Sequence, residues 1–259
     1  MRYAMTNDDD REEVFALLRS MRQQVDTIVP KDKFETNAID AVILGIFWRS
    51  VRLFDAITIL LEKNLPEEAS ALARSSFEGA MLLQELGHDF ANRVGLVLRF
   101  VHTAIQNKRG FIHETARLKP EAADGKFLTE LDEEERRLFE FARAQGIKKL
   151  PKFLSTKAAA EKFERRDDLW YYEATHEFVH GSDIAISPFR HRVSGDEVAL
   201  FGRTTKLWLI GGVATFASLS LVQALQGVAR ILDWKGVERV AAIQDQFGPL
   251  LDRVKARRN

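Results

Sequence analysis

The sequence predicts a mainly α protein: a single helical-bundle domain of about seven to nine helices, with a small β-hairpin insert near residues 189–201. Three observations carry this. Apolar residues recur at helical spacing over most of the chain. The prolines Pro30, Pro66, Pro120, Pro151 and Pro188 fall between the periodic segments rather than inside them. Hydrophobic residues make up 46% of the 259 positions and charged residues 29%, which is enough to bury a sizeable core.

The first helix runs from Asp8 to about Val29, with Val14, Leu17, Leu18, Met21 and Val25 on one face. The second spans Phe34 to Asn64 and carries Ile43, Phe47, Leu53, Phe54, Ile57 and Leu61. Leu65-Pro66-Glu67-Glu68 restarts the chain as a third helix, with proline in the first turn and acids beside the positive dipole end, and it runs to Gly87. A fourth covers about Asp89 to Leu118 and a fifth about Leu128 to Ala144. A basic connector follows over 145–167, with a short helix near Ala158. Asp168 to His180 reads as helical again and stops at Gly181. The hairpin pairs 189–193 with 197–201 around Ser194-Gly195-Asp196. Two helices, about 204–234 and 236–257, complete a domain that divides into an N-terminal helix (1–30), a helical core (34–144), the connector and a C-terminal section (168–259).

Composition bounds the function classes. Lys plus Arg and Asp plus Glu both number 38, so a general polyanion binder is disfavoured while local patches stay open. Cysteine is absent, which removes disulfides, thiolate nucleophiles, cysteine-type zinc sites and iron–sulfur clusters. Residues 1–13 are polar and acid-rich without an apolar leader, so a cytoplasmic location is expected. Leu207 to Ala229 carries no formal charge over 23 residues, but glycine, serine and glutamine dilute it, and a central bundle helix rather than a membrane span is expected. Long apolar faces make a homodimer plausible. No Gly-rich phosphate loop and no G-x-S-x-G elbow is present.

Three constellations carry chemistry. Thr175-His176-Glu177-Phe178-Val179-His180 matches H-E-x-x-H, in which His176 and His180 would hold one zinc and Glu177 would activate water. Its competing reading is a histidine pair satisfied by hydrogen bonds near a helix end, and no recognisable third ligand follows. The spacing E-x-x-H, found at Glu85–His88, Glu173–His176 and Glu177–His180, allows a carboxylate-bridged di-iron bundle. Arg74 and Glu78 lie four apart on a helix whose Ala69, Ala71, Ala73, Ser76 and Ala80 form a small-residue face. Their plain reading is an exposed ion pair. Their sharper one is a polar interhelical pocket in which Arg74 holds an anionic group such as a phosphate.

The string Ala69, Leu72, Arg74, Ser75 and Glu78, followed by Tyr171 or Tyr172 and then His180, Gly181 and Ser182, resembles an Ala-x-x-Leu-x-Arg-Ser-x-x-Glu helix and a later Tyr…His-Gly-Ser segment. On these motifs the chain resembles the uncharacterised bacterial helical family DUF5677, over roughly residues 40–230. The resemblance makes His180 the important histidine and the zinc string accidental. The family carries no established activity, and the preferred reading is a polar interhelical pocket of Arg74, Glu78, Tyr172 and His180, with His180 as acid/base, Glu78 orienting Arg74 and Tyr172 in support. A more distant HEPN-like character implies a nucleotide- or RNA-directed role in stress or phage defence. The chain departs from that pattern, since Arg109 and His113 have only three residues between them. The alternatives are a zinc-dependent hydrolase and a non-enzymatic helical interaction module. From Arg143 to Arg166 the chain holds eight basic residues against two acidic ones, interleaved with Phe153 and Phe163 and followed by Trp170. That is either a solvated linker anchored by its aromatics or a single-strand nucleic-acid surface.

Overall fold

The computed structural model describes residues 8–29, 37–119, 125–179, 190–194, 197–200 and 207–256. The chain is mainly α. Its helices are α1 (Asp8–Ile28), α2 (Ala38–Glu62), α3 (Pro66–His88), α4 (Arg93–Leu118), α5 (Gly125–Ala144), α6 (Thr156–Lys162), α7 (Leu169–Val179), α8 (Leu207–Leu232), α9 (Val237–Gln244) and α10 (Phe247–Ala256). Strands β1 (Arg190–Ser194) and β2 (Glu197–Leu200) pair antiparallel, with Arg190 opposite Leu200 and a register irregularity between Arg192 and Ser194. The helices form two compact units, one of Met1–His88 with Ser155–Asn259 and one of Asp89–Leu154.

The larger unit is built on α3 and α8, which pack along most of their lengths, with α2 against both. Small side chains make this close pairing possible. Ala69, Ala73, Ser76 and Ala80 of α3 are buried, as are Ala214, Ala217, Ser218 and Ala224 of α8, while Ala71 is only half-buried. Three of the buried serines, Ser70, Ser218 and Ser220, each return a hydrogen bond to the carbonyl four residues back, whereas the buried Ser76 hydroxyl has no partner among the described residues. Leu209–Leu232 of α8 could cross a membrane by length and composition alone, but 83% of its most apolar 18-residue window lies buried. Phe77 and Phe216 meet at 5.1 Å between the two helices. On the other side of α8, α1 presents the stripe Val14, Leu18, Met21 and Val25, all buried, beside α9 and α10.

Helix ends follow local chemistry. Asn37 caps α2 by accepting from the N–H groups of Ile39 and Asp40 at 3.0 and 2.9 Å. Asn64, at φ 58°, closes α2. The Leu65 N–H reaches the Leu60 carbonyl at 2.8 Å and the Asn64 N–H reaches Leu61 at 3.0 Å, which delivers the chain into Pro66 at the first turn of α3. Ser155 caps α6 through the Ala158 N–H. Several boundaries differ from the sequence reading: α2 starts at Ala38, behind its Asn37 cap, rather than at Phe34, and α5 at Gly125 rather than Leu128. The fourth helix starts at Arg93, because the Asp89 carboxylate accepts from the Asn92 N–H at 3.2 Å and holds residues 90–92 in a turn. The last segment is two helices rather than one. Pro249 has no N–H for the Asp245 carbonyl and its ring would strike that carbonyl, so the helix stops at Gln244 and restarts at Phe247.

The smaller unit is an α4–α5 pair around Leu98, Ile105, Leu131, Leu138, Ala142 and Leu150. Gly95 lies tightly under Pro151 within it, where an added Cβ would sit 2.8 Å from the proline ring. On its polar side Glu135 joins His102 at 2.8 Å and Arg109 at 2.9 Å, and Arg109 also reaches Asp132 at 2.7 Å.

Candidate functional site

Arg74 and Glu78 stand one turn apart on α3, beside the stripe that packs on α8, and α7 covers them. The Tyr172 ring on α7 leans on Phe77 at 5.6 Å, and the Arg74 guanidinium lies over it, its Cζ 4.1 Å from the ring centre. Arg74 Nη2 donates to the Tyr172 hydroxyl at 2.8 Å, and that hydroxyl donates to Glu78 Oε1 at 3.0 Å. Arg74 Nε stands 3.4 Å from the same carboxylate oxygen, and Nη1 reaches the Tyr172 carbonyl at 3.4 Å. Two residues adjacent by helical periodicity and one from 94 positions further on thus form a closed polar triangle on an aromatic floor.

Burial splits the triangle. The Arg74 side chain is 19% exposed and that of Glu78 is 45% exposed, so the cation is the sheltered member. Burial pushes the Tyr172 phenol up from its usual range, and the Glu78 carboxylate adds to this through its hydrogen bond and its charge. Tyr172 is therefore neutral at physiological pH and keeps its proton on the bond to Glu78. Three of the five guanidinium N–H groups have partners here. Among the described residues the other two have no partner, and the ring and the hydroxyl fix the orientation of the guanidinium.

A second polar group lies further along α3. Gln84 Nε2 donates to the Gln223 carbonyl of α8 at 2.7 Å, and Gln223 Nε2 donates to Asp168 Oδ2 at 2.8 Å. Arg230 of α8 donates to Gln84 Oε1 at 2.5 Å. His88 takes the Gln84 carbonyl at 2.8 Å through Nδ1, and its ring stacks on Phe163 at 4.6 Å. Sequence reasoning missed Gln84, Gln223, Asp168 and Arg230 as a set. The available signal was Gln223 and Arg230, two polar residues seven apart in an apolar helix and so on one face.

Asp168 yields a pH prediction. Burial, with a smaller push from Asp167, raises its pKa against the opposing pull of Gln223 and Arg165. The folded protein then holds this proton more tightly than the unfolded chain does. The stabilisation is full below the usual aspartate range and is lost as pH rises through the folded-state value. Asp168→Asn keeps an acceptor for Gln223 and cannot titrate. Thermal melts from acid to neutral pH should show a flatter profile for this variant and no loss of stability at neutral pH. A parallel profile would exclude Asp168 as its source.

Of the residues singled out in sequence, Arg74, Glu78 and Tyr172 come together. His180, with Gly181 and Ser182, lies outside the described residues. His176 and Glu177 lie on the helical backbone of α7, but their side chains are outside the described set, so the H-E-x-x-H string has no described geometry. Among the described residues no group of three or more potential ligands could hold a metal ion.

The chain belongs to DUF5677, a family of unknown function, whose model matches residues 40–198. That span contains Arg74, Glu78, Tyr172, His176 and His180. No curated protein and no solved structure matches the chain.

Proposed function

We propose that this DUF5677 member binds a phosphate-bearing ligand, a nucleotide or RNA, at the Arg74–Tyr172–Glu78 triangle. Arg74 holds the phosphate and Glu78 and Tyr172 orient it. His180 serves as the acid/base group. The observation that supports this is the sheltered Arg74 guanidinium, set on the Tyr172 ring with two N–H groups that have no partner among the described residues. A plain surface ion pair needs neither an aromatic floor nor a bridging hydroxyl from a distant helix.

The test is equilibrium binding of a labelled uridine dinucleotide to the purified protein and to Tyr172→Phe. The phenylalanine keeps the ring under the guanidinium and removes the hydroxyl that ties Arg74 to Glu78. Binding by the native protein, weakened about tenfold in the variant because the guanidinium is no longer held, is the expected result, with a stability cost no greater than the roughly 1.5–3 kcal/mol of a hydrogen bond to a charged group. Absence of binding by the native protein, or identical affinity in the variant, would refute the reading.

A further inference from the structure

Helix α4 outruns its own support. Its last buried residue is Ile105, yet the helix continues to Leu118, and most helical stability comes from packing. α5 packs beside it, and the pair has two unlike sides. One side is polar and satisfied, with Glu135 holding His102 and Arg109, and Arg109 also holding Asp132. Across the Ile105–Ile112 core line lies the other side, marked by Lys108 of α4 and Glu134 of α5 at 4.0 Å. Phe127, Glu134 and Phe141 recur every seven residues, so both phenylalanines share that side of α5. On α4, Phe111 lies three residues beyond Lys108 and Leu118 seven beyond Phe111, which extends the side to the helix end. All four apolar side chains are exposed, Phe111 by 74%. Together they present roughly 400–500 Å² of apolar surface. Patches of that size mark interaction sites, and this one is half of the roughly 800 Å² that each partner gives to a standard interface.

We propose that this side pairs with the same side of a second copy of the chain, so that two α4–α5 pairs complete a four-helix bundle. The proposal is independent of the Arg74 reading. Charge selects both the occupant and its orientation. A two-fold axis running along the helices sets each α4 on the partner's α5 and keeps residues at their own level. Lys108 then stands over the partner's Glu134 as well as beside its own, and four charges alternate around the axis. The helices as wholes match in the same sense. α4 carries five basic residues and one acidic, α5 six acidic and four basic. An axis across the helices would instead set α4 on α4, basic on basic. The apolar side chains interleave in the favoured arrangement. Measured from the ion pair toward the end of α4, Phe111 lies about 4.5 Å away, Phe127 about 10.5 Å and Leu118 about 15 Å. Phe127 therefore enters between the partner's Phe111 and the partner's Leu118, and the unsupported end of α4 gains its packing from the second copy.

The experiment is sedimentation equilibrium of the full chain over a wide concentration range. The native protein should reach the mass of two chains of 29.5 kDa each. Phe111→Glu should raise the dissociation constant at least about thirtyfold, because it carries an unpaired carboxylate into the apolar centre of the interface. Its far-ultraviolet circular dichroism should match the native spectrum, since the side chain is exposed in the single chain. Lys108→Glu and Glu134→Lys should each weaken self-association about tenfold, because each sets like charges across the axis. Mixed in equal amounts, these two variants restore opposite charges between the chains, although the ion pair within each chain stays broken. The mixture should therefore associate within about threefold of the native affinity. A native protein that stays a single chain throughout, or a dimer that Phe111→Glu leaves intact, would overturn the proposal. A mixture no tighter than either variant alone would overturn it too, because α4 would not then lie on the partner's α5.

Discussion

Gly227→Val is expected to be among the most damaging single substitutions in this chain. An added Cβ at Gly227 would sit 2.6 Å from both the carbonyl carbon and oxygen of Leu83, and 2.9 Å from the Gln84 nitrogen. The reciprocal position is equally closed, since a Cβ at Gly87 would lie 2.7 Å from the Gly227 carbonyl oxygen. These are backbone atoms of two packed helices, so no rotamer change relieves the clash. The helices must separate, and separation opens the Phe77–Phe216 contact and the Gln84–Gln223 hydrogen bond together. Overpacking costs typically about 1–3 kcal/mol where side chains can yield. Here at least about 3 kcal/mol is expected, a fall in melting temperature of roughly 6–12 °C for a chain of this size. Gly45→Ala is the control for helical glycines in general. Its Cβ would meet nothing within 4 Å on the exposed side of α2, so it should gain roughly 0.5–1 kcal/mol. Thermal melts followed by circular dichroism read both. A Gly227→Val protein that melts with the native one would mean that α3 and α8 do not cross at these glycines.

The same crossing shows where sequence reading reaches its limit. The small-residue face of α3 is visible as a local pattern, because Ala69, Ala73, Ser76 and Ala80 repeat at helical spacing. That Gly87 meets Gly227, 140 positions later, is a tertiary fact with no local signature. The stripes of α1 and α2 and the proline at the head of α3 were legible for the same reason as the alanine face: each follows from a few neighbouring residues. The break before Pro249 had a local cause too, but the apolar periodicity continues across it and outweighed one proline. The site divides in the same way. Arg74 and Glu78 share a face by spacing alone, whereas Tyr172 entered through family resemblance, since nothing between positions 78 and 172 says that α7 returns to α3. Gln223 was read as a diluting residue in an apolar helix. Its meaning depends on Asp168, 55 residues earlier, and a buried amide shows its purpose only when its partner is known.

Arg74 separates a ligand site from a structural pair. In the folded chain the guanidinium rests on Tyr172, an interaction worth roughly 0.5–2 kcal/mol depending on how far it is desolvated. Arg74→Ala removes that contact, yet leaves the Tyr172 hydroxyl donating to Glu78, so no polar atom of the triangle is stranded. The stability cost should stay near 1 kcal/mol, seen as a fall of about 2–4 °C on melting. Binding should suffer far more. Removing the cation that pairs with a phosphate costs roughly 2–5 kcal/mol, a loss in dinucleotide affinity of at least about thirtyfold. Arg74→Lys divides charge from shape. The ammonium keeps the positive charge but cannot lie flat on the ring or present two parallel N–H groups, so affinity should recover only in part while melting returns close to native. If the arginine serves only to hold α7 against α3, the order reverses: Arg74→Ala would melt far lower than expected, and no dinucleotide affinity would follow the charge back in Arg74→Lys. Calorimetric titration and melting of the three proteins side by side distinguish the two, because charge, planarity and packing change in different combinations at this one position.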